Sequence, residues 1–412
     1  MKREIRVSLL GEYGVRNYGN EASLAHTLRI VQSVEHARPT VICHEPAVVT
    51  AMHGVPAWPF VARHPHSWGT RLIYKFQDFL RAGAQVARSD VIIVPGSGVF
   101  DLEWAGPGEV PLIMFTYSFW AAVLRRPFLV LSVGADGRGA GIGAALARFA
   151  VRRASVLTAR DDASAAVLSG QRSSPVQSIA DGVFGDEFPG ASEPSADRDA
   201  LVVGLGLFDY YGVNGRRSPD RAQRERFISR LAEIARGLTE RSAEVVLLRG
   251  EDSDQSVIDE LLESLGADVT VRVADARTEA ELVREIQRMD VLAACRYHNL
   301  IAGALQRTPM IGIGWLKHKS LVAQLGRPDC YFDIGDFEPA DVLARIDRDL
   351  TAEPVDREEL DARVRDLTSR TRAQDAWLVR ILDRRALSRR GLRRQFVPLP
   401  QAADGRVGAR AR

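Results

Sequence analysis

The chain has 412 residues, is 46% hydrophobic, and sets 55 Lys and Arg against 53 Asp and Glu for a formal charge of +2. Such a length and balance exclude a disordered chain and leave room for two globular domains, each with its own buried core. Cys43, Cys295 and Cys330 are far apart and form no CxxC pair, so neither a disulfide framework nor a zinc site is suggested, and a reducing cytoplasm fits best.

The opening MKREIRVSLLGEYG predicts a strand and not a signal peptide, because the apolar run Ile5 to Leu10 is interrupted by Arg6 and Ser8. No stretch reaches the roughly 20 apolar residues of a membrane span. Strands are expected at Ile5–Leu10, Thr40–Cys43, Val91–Val94, Phe128–Val133, Ser155–Ala159 and Val176–Ile179. Helix-period segments separate them, including Glu21–Val34, Tyr74–Ala87, Ile142–Arg153 and Asp162–Leu168. A linker rich in Pro, Ser, Gly and acids follows at 186–199. The alternation then resumes, with strands at Leu201–Leu207, Val245–Leu248, Val269–Val273, Val291–Ala294 and Pro309–Ile313. Helices are expected at Arg221–Arg241, Gln255–Leu265, Glu279–Arg288 and Lys319–Leu325. The pattern is α/β: two Rossmann-like, doubly wound domains, 1–185 and 200–345, facing across a cleft. A helical extension, 346–395, is placed back against the first domain, and a basic tail, 396–412, ends the chain. From Arg384 onward arginines meet one acid, Asp404; a solvated terminus is expected, with peripheral contact to anionic lipid as its second reading and no nucleic-acid partner.

Four strand ends carry polar residues unsuited to a core. In GEYGVRNYGNEAS, Gly11, Gly14 and Gly19 permit close backbone approach, Asn20 or Glu21 caps the next helix, and the helix amides are left to face an anion. In DVIIVPGSGVFD, the small residues Gly96, Ser97 and Gly98 end a continuous apolar strand. In SVLTARDDAS, Arg160 offers a planar fork of donors, with an Arg160–Asp161 ion pair as the structural alternative. Near residue 295, CRYHNLIAGAL puts Arg296, Tyr297 and His298 at a strand terminus, where side chains two apart in extended chain share a face; Lys319 follows beyond the next strand. The run GAGIGA, Gly139–Ala144, satisfies G-x-G-x-x-A, but its glycines begin well after the preceding strand ends, so no nicotinamide or flavin cofactor is expected.

In this order the pieces NYGNEA (17–22), PGSG (95–98), ARDDAS (159–164), IADGVF (179–184) and CRYHNLIAGALQRTPMIGIGWLKHK (295–319) resemble the polysaccharide pyruvyl transferase family, over residues 5 to 335. The resemblance implies two Rossmann-like domains similar to the GT-B glycosyltransferases and transfer of pyruvate from phosphoenolpyruvate to a sugar or glycan acceptor, lipid- or nucleotide-linked in some cases, as a cyclic ketal. It puts the phosphoenolpyruvate-contacting arginines and catalytic histidine on Arg160, Arg296 and His298. With them go Tyr297 and Lys319 on the donor side and Asn17, Gly19, Asn20, Glu21, Gly96, Ser97 and Gly98 on the acceptor side, with no metal and no cofactor besides the donor. Asn20 stands where an aspartate is usual, Ser97 interrupts a glycine pair, and Tyr297 replaces an aliphatic residue. A GT-B glycosyltransferase acting on a nucleotide sugar is the alternative activity, since fold alone does not separate the two.

Overall fold

The computed structural model describes residues 4–383 except 16, 61–70, 103–105, 107, 138, 187–200, 212–220 and 352–353. Apart from Asp186, the expected linker lies outside the described residues, as does the chain from Arg384.

The first sheet contains β1 (Ile5–Leu10), β2 (Ala37–Cys43), β3 (Ala57–Pro59), β4 (Val91–Pro95), β5 (Phe128–Val133), β6 (Val156–Ala159) and β7 (Gln177–Ser178). Its order is β3-β2-β1-β4-β5-β6-β7, and every pairing is parallel. The second sheet contains β8 (Val202–Gly206), β9 (Glu244–Leu248), β10 (Arg272–Val273), β11 (Val291–Ala294), β12 (Met310–Gly314) and β13 (Tyr331–Asp333), ordered β10-β9-β8-β11-β12-β13 and again all parallel. Central strands such as β4, VIIVP, and β5, FLVLSV, are buried along their whole length, as a sheet covered on both faces requires.

Helices α1 (Tyr18–Gln32) and α2 (Pro46–His53) pack on one face of the first sheet; α3 (Arg71–Ala87), α4 (Val110–Val123) and α5 (Gly141–Arg153) cover the other. α6 (Asp162–Ser169) joins β6 to β7. In the second half come α7 (Arg221–Glu240), α8 (Gln255–Leu265), α9 (Glu279–Ile286), α10 (Tyr297–Leu305), α11 (Leu316–Gln324) and α12 (Pro339–Leu350). The 29-residue α13 (Pro354–Leu382) runs across both units. Leu360, Val364 and Leu367 enter the second core, while Trp377, Leu378 and Ile381 enter the first. Gln374 fixes the crossing: its amide donates to Ser132 Oγ at 3.0 Å, and its carbonyl accepts from Thr158 Oγ1 at 2.7 Å. Among the described residues no helix is long and apolar enough to cross a membrane.

Chain order reverses between β1 and β4 in one sheet and between β8 and β11 in the other. At such a switch point the two neighbouring crossovers leave on opposite faces, so their loops part and open a crevice at the carboxyl ends of the strands. The loops after β1, β4, β8 and β11 accordingly line one cleft between the domains.

Candidate active site

Asn17 ends the loop after β1 and caps α1, its Oδ1 accepting from Asn20 N–H at 3.1 Å. The expected caps, Asn20 and Glu21, lie one turn inside the helix instead, because the extended backbone needed at an N-cap belongs to Asn17. Asn17 also holds the second domain: its Nδ2 donates to Glu251 Oε2 at 2.8 Å, and Tyr18 N–H donates to Gly250 O at 3.1 Å. Gly19 is where the imidazole of His298 packs on the helix backbone. A Cβ there would fall 1.9 Å from His298 Nδ1, so only glycine admits the ring.

His298 sits in the first turn of α10, and its Nε2 lies 3.7 Å from Asp181 Oδ2. That is an ion-pair distance, too long for a closed hydrogen bond. Neither atom has a hydrogen-bond partner among the described residues, although both are enclosed. Burial opposes ionisation of Asp181, but His298, Arg160 and the Val183 N–H outweigh it and hold the carboxyl below the usual carboxylate range.

Arg160, at the end of β6, is fully buried. Its NH2 donates to Asp101 at 3.2 Å, its Nε lies 3.6 Å from Asp161, and its guanidinium carbon stands 4.6 Å from the centre of the Tyr297 ring. A Cβ on Gly134 would meet Arg160 NH2 at 2.1 Å, so this glycine opens the guanidinium's path to the cleft. The alternative Arg160–Asp161 pair is therefore secondary: Asp161 mainly caps α6 through Ser164 N–H at 2.8 Å. Burial works against the charge of Arg160, but Asp101, Tyr297, Asp161 and Asp181 raise its pKa further. Asp101 responds the other way, burial lifting its carboxyl above the ordinary range despite Arg160 and Lys317 nearby. Lys317 Nζ completes the cation cluster, 4.5 Å from the Trp315 ring centre and 5.5 Å from that of Tyr297.

Arg296 is engaged from within. It donates to Asp254 at 2.9 and 2.5 Å and to Glu251 at 3.1 Å, and lies 4.1 Å over the Phe208 ring. Burial pushes the Asp254 carboxyl up even against Arg296, yet the two-pronged geometry is that of an ionised pair, and we read it so. Below it, His318 Nδ1 accepts from Trp315 N–H at 3.2 Å and Nε2 donates to Cys295 O at 3.0 Å. Burial first, then Lys317, keeps this imidazole neutral. It ties the end of β11 to the start of α11 and takes no part at the cleft surface.

Of the residues expected at the site, Asn17, Gly19, Asn20, Ser97, Gly98, Arg160, Arg296, Tyr297 and His298 line the cleft. Four expectations are corrected. Lys319 is exposed near Tyr331 and outside the cleft; it sits two residues along α11 from Lys317, about 200° around a helix, so only Lys317 turns inward. Glu21 points to the other side of α1, accepting from Gly14 N–H at 2.6 Å and lying 3.3 Å from His53 Nε2. Gly96, at φ +53°, lets Ser23 of α1 approach and does not reach the cleft. Arg296 and His298 do not share a face of an extended strand, because β11 ends at Ala294 and His298 is already helical. The sequence reading missed Asp101, Asp181, Glu251, Asp254 and Lys317. It also missed Asn299, buried on the cleft wall with both amide atoms lacking a hydrogen-bond partner among the described residues. Asp101 and Asp181 stood inside quoted motifs, DVIIVPGSGVFD and IADGVF, as acids next to glycine-rich turns.

The family model for polysaccharide pyruvyl transferase matches residues 17–318, which include every cleft residue from Asn17 to Lys317. The chain belongs to this family. Among curated proteins no match is found. Solved structures share this fold at low identity. UDP-GlcNAc 2-epimerase from Neisseria meningitidis bound to UDP-GlcNAc aligns at TM-score 0.59 and 11% identity, over 91% of this chain and 99% of its own. S. aureus MnaA in a UDP co-structure aligns at 0.57 and 10%, over 87% and 91%. The glycotransferase of kitacinnamycin aligns at 0.55 and 15%, over 92% and 99%. These likenesses establish the GT-B-like pair of Rossmann-like domains.

Proposed function

We propose that this chain takes pyruvate from phosphoenolpyruvate and closes it as a cyclic ketal on two hydroxyls of a sugar. The observation that carries the reading is the meeting of Arg160, from the first domain, with Lys317 and His298, from the second, around Tyr297 in one cleft. Phosphoenolpyruvate carries a carboxylate and a phosphate on three carbons. A guanidinium fork suits the first and an ammonium the second. Arg296, held by Asp254 and Glu251, fixes the wall behind them and its backbone starts the helix bearing His298.

In this reading protonated His298 delivers a proton to the methylene carbon of the donor, leaving an oxocarbenium-like centre at the adjacent carbon. One sugar hydroxyl adds there, the bond to the phosphate oxygen breaks, and the second hydroxyl closes the ring. The two hydroxyl protons are balanced by the new methyl hydrogen and the departing hydrogen phosphate. Asp181, ionised behind the imidazole, holds the ring's orientation. Asp101, whose carboxyl burial has raised, is placed to accept a hydroxyl proton once the donor draws Arg160 away. Asn17, Asn20, Ser97 and Gly98 form the acceptor side. Ser97 holds φ +71°, a conformation that costs a side chain about 1–2 kcal/mol and that keeps the β4 turn close to the ligand. A cytoplasmic setting, where the three buried free cysteines stay reduced, belongs to the same reading.

The test is incubation with phosphoenolpyruvate and a panel of hexosides and lipid- or nucleotide-linked sugars. Phosphate release with a matching mass gain on one acceptor is expected. Binding of uridine nucleotides with no phosphate release from phosphoenolpyruvate would reject the proposal in favour of sugar transfer.

A further inference from the structure

The face of the first sheet opposite α1 and α13 is covered by α3, α4 and α5, whose inner sides bury Ala82, Met114, Tyr117 and Ala150. Their outer sides are apolar too. Ile73, Phe76 and Leu80 form an i, i+3, i+7 stripe along α3; with Val123 at the end of α4 and Ile142 at the start of α5, they are between 48% and 73% exposed. Half-buried rings join these positions into one surface, with Phe79 5.4 Å from Phe119, Phe119 5.9 Å from Phe115, and Phe115 4.9 Å from Phe149. Scattered exposed side chains need no explanation, but a continuous apolar patch over three helices does.

The charge on this face is one-sided. α4 has no charged residue, and α5 has Arg148, Arg152 and Arg153 with no acid. Asp78, the one acid of α3, is buried and paired with Arg81 at 2.8 Å. Arg125, just beyond α4, is exposed, and Arg153 stands 5.2 Å over the Phe149 ring. Glu109, before α4, turns its carboxylate back onto Gly106 N–H at 2.8 Å. In a chain whose charges nearly cancel, this face is set apart by its sign.

We propose that the outer face of α3, α4 and α5 docks on an anionic lipid bilayer. Ile73, Phe76 and Leu80 enter the boundary between headgroups and acyl chains, and the arginines of α5 meet lipid phosphates. A second copy of this chain fits poorly, since a two-fold contact through the face would set the same arginines against each other. A nucleic acid would use the arginines but gain nothing from the aliphatic stripe; a bilayer uses both. The inference stands apart from the pyruvyl-transfer reading.

The experiment is co-sedimentation of the full chain with vesicles of phosphatidylcholine alone or doped with phosphatidylglycerol. Binding to the doped vesicles is expected to exceed that to the neutral ones and to weaken in high salt. Phe76→Glu with Leu80→Glu, or Arg148→Glu with Arg152→Glu, should lower it about tenfold or more, with circular dichroism unchanged. A third variant, with Arg389, Arg390, Arg393 and Arg394 replaced by Gln, reports on the basic C-terminus. Vesicle binding lost in that variant but kept in the α3 variant overturns the proposal. So does a dimer, seen by light scattering, that the α3 variant dissolves without any binding to vesicles.

Discussion

Asp181 Oδ2 and His298 Nε2 face each other at 3.7 Å across the domain boundary, each enclosed and each without a hydrogen-bond partner among the described residues. Asp181 accepts from Val183 N–H through Oδ1 at 3.2 Å, which leaves Oδ2 facing the imidazole, where it orients that ring. Asp181→Asn keeps the volume and removes the charge. Turnover with phosphoenolpyruvate should fall about 10- to 100-fold while the KM for phosphoenolpyruvate changes little. His298→Ala should abolish turnover yet retain part of the donor affinity measured by calorimetry. An Asp181→Asn enzyme with unchanged kcat would show that the ring needs no carboxylate.

The two lysines of α11 give a sharper contrast. Lys317 lies against the Trp315 and Tyr297 rings beside the cleft, whereas Lys319 is exposed near Tyr331. A charge-assisted contact to phosphate contributes about 1.5–3 kcal/mol, or roughly 10- to 100-fold in Kd. Lys317→Ala should therefore weaken phosphoenolpyruvate binding by that amount, and Lys319→Ala should leave it unchanged. The reverse outcome in a titration would move the donor site to another wall of the cleft.

Arg296 separates a supporting role from a gripping one. Its fork is already occupied by Asp254, which is fully buried and also accepts from Gly250 N–H and Asp209 N–H, both at 3.0 Å. Removing one partner of a buried ion pair costs about 3–5 kcal/mol because the other charge is stranded. Arg296→Ala should accordingly lower the unfolding free energy by about that much, and Arg296→Lys by less, as seen in urea melts. If Arg296→Lys melts like the wild type and loses donor affinity instead, the guanidinium touches the substrate directly.

Much of this site could be read in the residues, and the limits have identifiable physical causes. Arg160 and His298 were visible because a parallel strand buried on both faces has no use for charge at its end, so polar residues there belong to the crevice. Lys319 was misplaced because the start of α11 was not visible. Once Leu316 is known to begin the helix, its 100° step per residue selects Lys317. Asp181 escaped notice because it follows β7, a two-residue strand at the sheet edge, and enters a 3-10 turn, where neither a period of two nor of 3.6 can show. β3 and β13, three residues each on the sheet edges, were invisible for the same reason, and Pro59 in β3 further masks it. Asn299 looks like one more residue of a small-residue helix until its buried amide, without a hydrogen-bond partner among the described residues, is seen beside the cleft.

Behind α1 a second cluster joins the domains and sets a dependence on pH. His26 is buried, with Nδ1 2.5 Å from Asp186 and Nε2 3.2 Å from Asp375 of α13. Burial alone would lower its pKa, but the two carboxylates overcome this and raise it from 6.5 to about 9. Arg29 also contacts Asp186. In the same wall Glu279, at the start of α9, is raised by burial, then by Asp186 and Asp181, from 4.5 to about 8. A histidine whose folded pKa exceeds its unfolded one stabilises fully below the unfolded value and loses that contribution as pH rises through the folded one. A carboxyl raised in the folded state destabilises increasingly from its unfolded pKa up to its folded pKa. The histidine contribution thus fades between pH 6.5 and about 9, and the carboxyl penalty grows between pH 4.5 and about 8, so both act in the same direction. Thermal melts of the wild type should fall as pH rises from 6.5 to 9. His26→Gln should lower stability by roughly 2–3 kcal/mol at pH 6 and by much less at pH 9.5. Glu279→Gln should raise it most at the alkaline end. Parallel melting curves for wild type and His26→Gln across that range would mean that the imidazole carries no proton between its two carboxylates.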